Sequence, residues 1–163
     1  MKYPTIDELQ QKVKRAIDHL FRHDEALFKL DVNERSISHK LAAYLQDEFE
    51  DEWDVDCEYN RRNHDNENIK KKLMGLSEFP DRVGVDDTKA QTVYPDIIVH
   101  HRDNNDNCLV IEIKKTSNAR GKNFDLEKLR AFKQQLHYEH TLYLQFRTEA
   151  TPHVDKEIWD DNE

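Results

Sequence analysis

The chain has 163 residues, which suits a single domain with one substantial core. Hydrophobic and charged residues each make up 36% of the chain and the net charge is -9, but the apolar residues recur at regular spacing, which excludes a disordered chain. The chain contains only two cysteines, which predicts that it has no disulfide framework. It has no apolar stretch of membrane-spanning length and its first residues are polar, so we predict a cytoplasmic protein without a membrane partner.

Two amphipathic helices are predicted at the start of the chain. Thr5 and Glu8 have the spacing of a capping box, and the helical spacing of the apolar residues that follow predicts a helix ending near Arg22. Asp31 and Glu34 have the same spacing and predict the cap of a second helix and its third-position partner. The second helix has an apolar stripe formed by Ile37, Leu41, Leu45 and Phe49.

Three strands are predicted next. Apolar and acidic residues alternate over 53–59, which predicts a half-buried strand. Residues 60–92 are polar and contain Gly and Pro, which predicts a long loop or insertion. Residues 93–100 and 108–114 are short apolar runs joined by a turn-rich segment, and they predict a β-hairpin.

One more helix and one more strand complete the predicted fold. Apolar spacing predicts a helix from Asp125 to about Leu136, followed by a strand over 140–147 and a loosely held acidic tail over 149–163. We therefore predict a single α/β domain over 1–163, with a mixed four-stranded sheet flanked by helices. Its last strand pairs parallel after a helical crossover.

The hairpin concentrates charged side chains at its open end. If the turn centres on Asn104, strand alternation places Asp96 opposite Glu112, with Lys114 one pair further on the same face. A one-residue slip would place the two carboxylates on opposite faces. The same register pairs Ile98 with Val110 and His100 with Cys108.

Asp96 and Glu112 lie in otherwise apolar strands, where facing like charges destabilise a sheet. Buried carboxylates are usually paired or bound to a metal, and hard oxygen ligands suit Mg²⁺. The alternative is an ordinary salt bridge, in which Lys114 neutralises Glu112 and no reaction occurs.

The hairpin contains a pattern that resembles the PD-(D/E)xK motif of the restriction-endonuclease-like nuclease superfamily. The pattern is Pro95-Asp96, then fifteen residues, then Glu112-Ile113-Lys114. The core of that superfamily is a helix, three strands, a helix and a fourth strand (αβββαβ), and it corresponds to residues 33–147 as predicted above, with the first helix as an extra N-terminal element. The helix before the strands often carries a glutamate of the active site, and that residue would be Glu34.

The resemblance implies a role for each of these residues. Asp96 and Glu112, with the main-chain carbonyl of Ile113, would bind Mg²⁺, with Mn²⁺ as a substitute. Lys114 would orient the attacking water, and Glu34 would complete the metal shell. The implied reaction is hydrolysis of phosphodiester bonds of DNA, in defence, repair or mobile-element biology. For Glu34 the alternative is a purely capping role.

Residues 61–133 carry a net charge of +3, the only local excess of positive charge. We expect contacts to nucleic acid from Arg61, Arg62, Lys115, Arg120 and Lys122. Further basic candidates are the run 70–72, Lys128, Arg130 and Lys133, for each of which a solvated surface is the alternative.

Two further functions remain open at this point. One is a catalytically inactive, nuclease-fold binding subunit, and the other is an acidic interaction or inhibitor protein, which the net charge of -9 would favour. A homodimer or a larger complex is expected for a small domain without a separate recognition module.

Overall fold

A five-stranded mixed β-sheet lies between two layers of helices in the computed structural model, which describes residues 2–57, 94–118 and 120–161. The helices are α1 (Ile6–Lys29), α2 (Glu34–Phe49) and α3 (Lys122–Leu136). The strands are β1 (Asp54–Cys57), β2 (Ile97–His100), β3 (Asn107–Lys115), β4 (His140–Arg147) and β5 (His153–Trp159), and they lie in this order in the sheet. The predicted α/β class and the mixed sheet are confirmed.

Helix α1 begins at the predicted capping box. The Thr5 side chain accepts a hydrogen bond from the main-chain N–H of Glu8, and the Glu8 carboxylate accepts one from the N–H of Thr5. The helix continues to Lys29, so the predicted end near Arg22 is wrong. The backbone leaves helical geometry at Asp24 (φ -126°, ψ 27°) and then resumes it, so the predicted end lies close to a kink.

The cap of α2 differs from the prediction. Asn33 is the capping residue, and its side-chain oxygen accepts a hydrogen bond from the N–H of Ser36 at 2.9 Å. Asp31 lies outside the helix with φ 50°, and Glu34 is the first helical residue rather than the third-position partner. The acidic side chain of Glu34 is therefore not used for capping.

The β2–β3 hairpin has the predicted antiparallel register along most of its length, including the pair Ile98–Val110. A bulge beyond Val99 pairs His100 with Asn107, so the predicted pair of His100 with Cys108 is wrong. Strand β4 then pairs parallel to β3 after the crossover through α3, as predicted.

The segment expected to be a loosely held tail contains β5, which pairs antiparallel to β4. Among the residues that the structure describes, the sheet therefore has five strands rather than the predicted four. The loop predicted over 60–92 lies outside the described residues.

Each face of the sheet packs on its own helices. Ile111 and Ile113 of β3 lie in the core that α1 and α2 cover, whereas Val110 lies in the core that α3 covers. Because side chains alternate along a strand, Glu112 and Lys114 point to the α3 side. In the described part of the chain, no helix is long and apolar enough to cross a membrane.

Candidate active site

A cavity of about 420 Å³ lies between the open end of the β2–β3 hairpin and the start of α3. The four residues predicted to be catalytic all line it, together with residues of α3 and of the turn before it. The lining residues are Glu34, Asp96, Glu112, Ile113, Lys114, Arg120, Gly121, Phe124, Asp125 and Lys128.

Asp96 directly precedes β2, and its carboxylate reaches across to β3. Its Oδ2 accepts a hydrogen bond of 2.7 Å from the main-chain N–H of Ile113. Burial raises the pKa of Asp96 above its usual value, and the positive charge of Lys128 opposes that rise. The carboxylate is therefore held in place by the backbone of the neighbouring strand, in an environment that disfavours its charge.

Glu112 is buried in the middle of β3, on the face that α3 covers, with 3% of its surface exposed. Burial raises its pKa well above the usual value; Lys128 opposes the rise and the charge of Asp96 adds to it. Asp96 and Glu112 line the same cavity, which agrees with the predicted placement of the two carboxylates on one face of the hairpin.

Two ion pairs join β3 to α3 across the cavity. Glu112 Oε1 lies 2.9 Å from Lys128 Nζ, and Lys114 Nζ lies 2.9 Å from Asp125 Oδ2. The salt bridge considered from sequence, between Lys114 and Glu112, is therefore replaced by pairs in which each residue binds a residue of α3. Burial lowers the pKa of Lys114, but the charge and hydrogen bond of Asp125, together with the charges of Glu34 and Glu112, raise it overall.

Glu34 reaches the cavity from the first turn of α2. Its Oε2 accepts a hydrogen bond of 2.9 Å from the main-chain N–H of Lys115, and its Oε1 accepts one of 3.1 Å from Asn118 Nδ2. Burial raises the pKa of Glu34, and the charge of Lys114 opposes the rise. The cavity therefore brings a third carboxylate, from a distant part of the chain, close to Lys114.

Lys115 does not have the predicted position at a nucleic-acid surface. Only 8% of its surface is exposed, and its ammonium binds the main-chain oxygens of Asp31 and Val32 and the Asp31 carboxylate. Its position in β3 explains this, because alternation places it on the face of Ile113, which the first two helices cover. Lys115 thus fixes the turn before α2, and with it the helix that carries Glu34.

The other predicted nucleic-acid contacts lie in different surroundings. Arg120 is exposed and lines the cavity, and Lys122 is half-buried as the first residue of α3. Arg61, Arg62 and the run 70–72 lie outside the described residues.

Three basic residues of α3, Lys128, Arg130 and Lys133, are engaged by acidic partners. Arg130 contacts Glu127 and Asp161, and Lys133 Nζ lies 2.8 Å from Asp160 Oδ1. Lys128 is buried and paired with Glu112, as described above. Of the basic candidates that the structure describes, Arg120 is therefore the one best placed to meet a ligand in the cavity.

Asp125 was not predicted as a site residue, and Lys128 was predicted only as a further basic candidate for contact with nucleic acid, although the sequence contains a signal for both. The buried stripe of α3 contains residues at the helical spacing i, i+3, i+4 and i+7, namely Asp125, Lys128, Leu129 and Phe132. Its two charged residues are therefore on the same face as its apolar ones. A charged pair on a buried stripe calls for partners of opposite charge, and Glu112 and Lys114 provide them.

Gln145 of β4 is buried, with 5% of its surface exposed. Its side chain accepts a hydrogen bond from the Tyr143 hydroxyl and donates one to Asp155. In the parallel register Gln145 pairs with Lys114 and Tyr143 with Glu112, so these polar groups line the strand next to the site.

The chemistry of the donor set suits a hard divalent cation, because Asp96, Glu112 and Glu34 supply carboxylate oxygens in a place where burial opposes their negative charge. Within the described ranges, no group of three or more His, Cys, Asp or Glu side chains is arranged so that it could hold a metal ion by itself. A cation bound here would need further ligands, such as the Ile113 carbonyl, water or a substrate oxygen.

Comparisons with family models, curated proteins and solved structures found no significant match to the chain.

Proposed function

We propose that this protein is a metal-dependent nuclease that hydrolyses phosphodiester bonds of DNA. The observation that carries the proposal is that Glu34, Asp96, Glu112 and Lys114 all line one cavity. These residues come from α2, the start of β2 and β3, and the sequence pattern selects them independently of the cavity. The order α2, β1, β2, β3, α3, β4 also supports the proposal, since it is the order that the resemblance to restriction-endonuclease-like nucleases implies.

In the proposed mechanism, Asp96 and Glu112 would hold Mg²⁺ or Mn²⁺ with the main-chain carbonyl of Ile113, and Glu34 would bind the cation or one of its waters. The cation would act as a Lewis acid on the phosphate and would lower the pKa of a bound water.

Lys114 has the donors to act on water and phosphate. Its ammonium carries three N–H donors, and the contact with Asp125 uses one of them. The remaining donors can bind the attacking water and a phosphate oxygen, and the charge stabilises the phosphate as negative charge develops. Arg120, exposed beside the cavity, would bind a neighbouring phosphate.

A catalytically inactive binding subunit is the second candidate, and one observation favours it. Glu112 and Lys114 are each already paired with a residue of α3, so these two charges are balanced without any ligand. Such a protein would bind nucleic acid through the same surface but would not cut it.

The decisive experiment incubates the protein with single- and double-stranded DNA and RNA in Mg²⁺, Mn²⁺ or EDTA. We expect cleavage of DNA with either metal and none in EDTA. Asp96→Asn should reduce cleavage by about 1,000-fold or more, which corresponds to a loss of about 4 kcal/mol of transition-state stabilisation. Its melting temperature should stay the same or rise by about 2–4 °C, because the change removes a repulsion worth up to about 1 kcal/mol.

Asp18→Asn, an exposed position on α1, is the matched control and should cut like the wild type. Full activity in Asp96→Asn would contradict the proposed site. Binding of DNA without cleavage in any metal would favour the inactive subunit, and cleavage of RNA alone would correct the substrate.

A further inference from the structure

Lys128 is the most enclosed cation of the site. Only 7% of its side chain is exposed, and its ammonium lies 2.9 Å from Glu112 Oε1 and 5.9 Å from the centre of the Phe132 ring. Burial lowers the pKa of Lys128, but the charges of Glu112 and then of Asp96 outweigh burial and raise it overall. One ammonium therefore interacts with both carboxylates that the proposed function assigns to a metal.

The charge around the cavity explains why such a cation is needed. The buried and half-buried lining residues include four carboxylates, against the two ammonium groups of Lys114 and Lys128, which gives a formal charge of -2. Without Lys128 the formal charge would be -3, and Glu112 would be a buried charge without a counter-ion. Such a charge is strongly destabilising.

A divalent cation at Glu112 would meet the ammonium of Lys128 at the same carboxylate. Two cations that share one buried carboxylate repel each other strongly, because the low polarity of the surroundings increases the Coulomb interaction. Binding of the metal therefore requires Lys128 to move or to share Glu112.

We propose that Lys128 is an intrinsic counter-ion that competes with the divalent cation for Glu112, so that it stabilises the fold without metal and lowers the affinity of the site for metal. The inference rests on the proposed function, since it takes Asp96 and Glu112 as metal ligands. It gives α3 a part in the site, as the helix that supplies the counter-ion of Glu112, although α3 lies outside the motif on β2 and β3.

The test replaces Lys128 by Met, which keeps the length of the side chain and removes the charge. Binding of Mn²⁺ is measured by calorimetry and by thermal melting, without nucleic acid. Lys128→Met should melt at a lower temperature than the wild type in EDTA and should bind Mn²⁺ at least about 10-fold more tightly. Saturating Mn²⁺ should therefore raise its melting temperature by more than it raises that of the wild type. Lys133→Met, on the same helix but paired with Asp160, is the matched control and should bind Mn²⁺ like the wild type.

Affinity for Mn²⁺ that is equal or lower in Lys128→Met would overturn this inference while leaving the proposed function intact. Absence of Mn²⁺ binding in both the wild type and Lys128→Met would contradict the proposed function itself. If Lys128→Met is unfolded in EDTA, Lys128→Gln provides a second variant. Folding of either variant on addition of Mn²⁺ supports the competition, and failure of both to fold with Mn²⁺ overturns it.

Discussion

The two ends of the β2–β3 hairpin both carry buried polar residues, but they balance charge in opposite ways. At the closed end, His100 is fully buried, and its Nε2 lies 2.8 Å from Asp56 Oδ2. Arg102 also binds Asp56, with one nitrogen at 2.9 Å from Oδ2 and another at 2.7 Å from Oδ1. At the open end, Asp96 and Glu112 lie together beside a cavity.

The pKa values of the carboxylates shift in opposite directions at the two ends of the hairpin. Burial alone would raise the pKa of Asp56, but the hydrogen bonds from Arg102 and His100 lower it overall. Burial raises the pKa of Asp96 and of Glu112, and their cationic neighbours do not reverse the effect. The closed end therefore favours its charged carboxylate and stabilises the fold, whereas the open end holds carboxylates at a cost, as sites for cations and substrates often do.

The largest change in stability should come from the closed end. Asp56→Asn removes the charge that binds both Arg102 and His100, and we expect a loss of about 2 kcal/mol in the free energy of unfolding at pH 7. Cleavage measured well below the melting temperature should not change. The stability from Asp56 is present above the usual pKa of 3.8 and is lost as the pH falls through the lower pKa of the folded state.

Urea unfolding of the wild type and Asp56→Asn at several pH values measures this dependence. The difference between the two proteins should shrink as the pH falls below about 4. A difference that is constant between pH 7 and pH 3 would show that the charge of Asp56 does not stabilise the fold.

At the open end, Glu34→Gln should affect activity rather than stability. Glutamine keeps an oxygen that can accept the hydrogen bond from Lys115 but lacks the charge that a metal shell uses. We expect cleavage to fall by at least about 10-fold, equivalent to about 1.4 kcal/mol, with near-native melting.

Asn33→Ala is the matched variant for Glu34→Gln, because Asn33 caps α2 and lies next to Glu34. It should lose about 1 kcal/mol of stability and keep most of the cleavage rate. Wild-type cleavage by Glu34→Gln across a Mg²⁺ titration would remove Glu34 from the active site.

The smallest effect is expected for Arg120→Ala. Arg120 is exposed, so its loss should weaken DNA binding only about 3-fold and reduce the slope of log affinity against log salt by about 1. Arg22→Ala, on the exposed side of α1, should bind DNA like the wild type. An unchanged salt slope in Arg120→Ala would mean that Arg120 does not contact phosphate.

The sequence predicted the structure best where the alternation of side chains along a strand decides which face each residue lies on. Strand alternation and the turn position place Asp96 and Glu112 on one face of the hairpin, and the observed pair Ile98–Val110 has the predicted register. The same alternation would have placed Lys115 beneath the first two helices, but its position beside Lys114 favoured a surface role. That error came from using proximity in sequence instead of the face of the strand.

The sequence pattern was ambiguous at the cap of α2 and was interrupted in β5. Asp31 and Asn33 are both good capping residues, and tertiary contacts decide between them, since Asp31 is bound to Lys115 and Ser117. Strand β5 lacks simple alternation because its pairing with β4 contains a register shift. As a result Val154 and Trp159, an odd number of positions apart, contact the same core.

The hydrogen bond from the N–H of Lys115 to Glu34 joins residues that are 81 positions apart. Bringing together such distant parts of a chain costs loop-closure entropy, which the packing of α1 and α2 on the sheet must offset. Glu34 therefore reaches the cavity only when the helical hairpin of α1 and α2 has docked on the finished sheet. A chain in which α1 and α2 have not docked would lack one carboxylate of the proposed site, even with the β2–β3 hairpin in place.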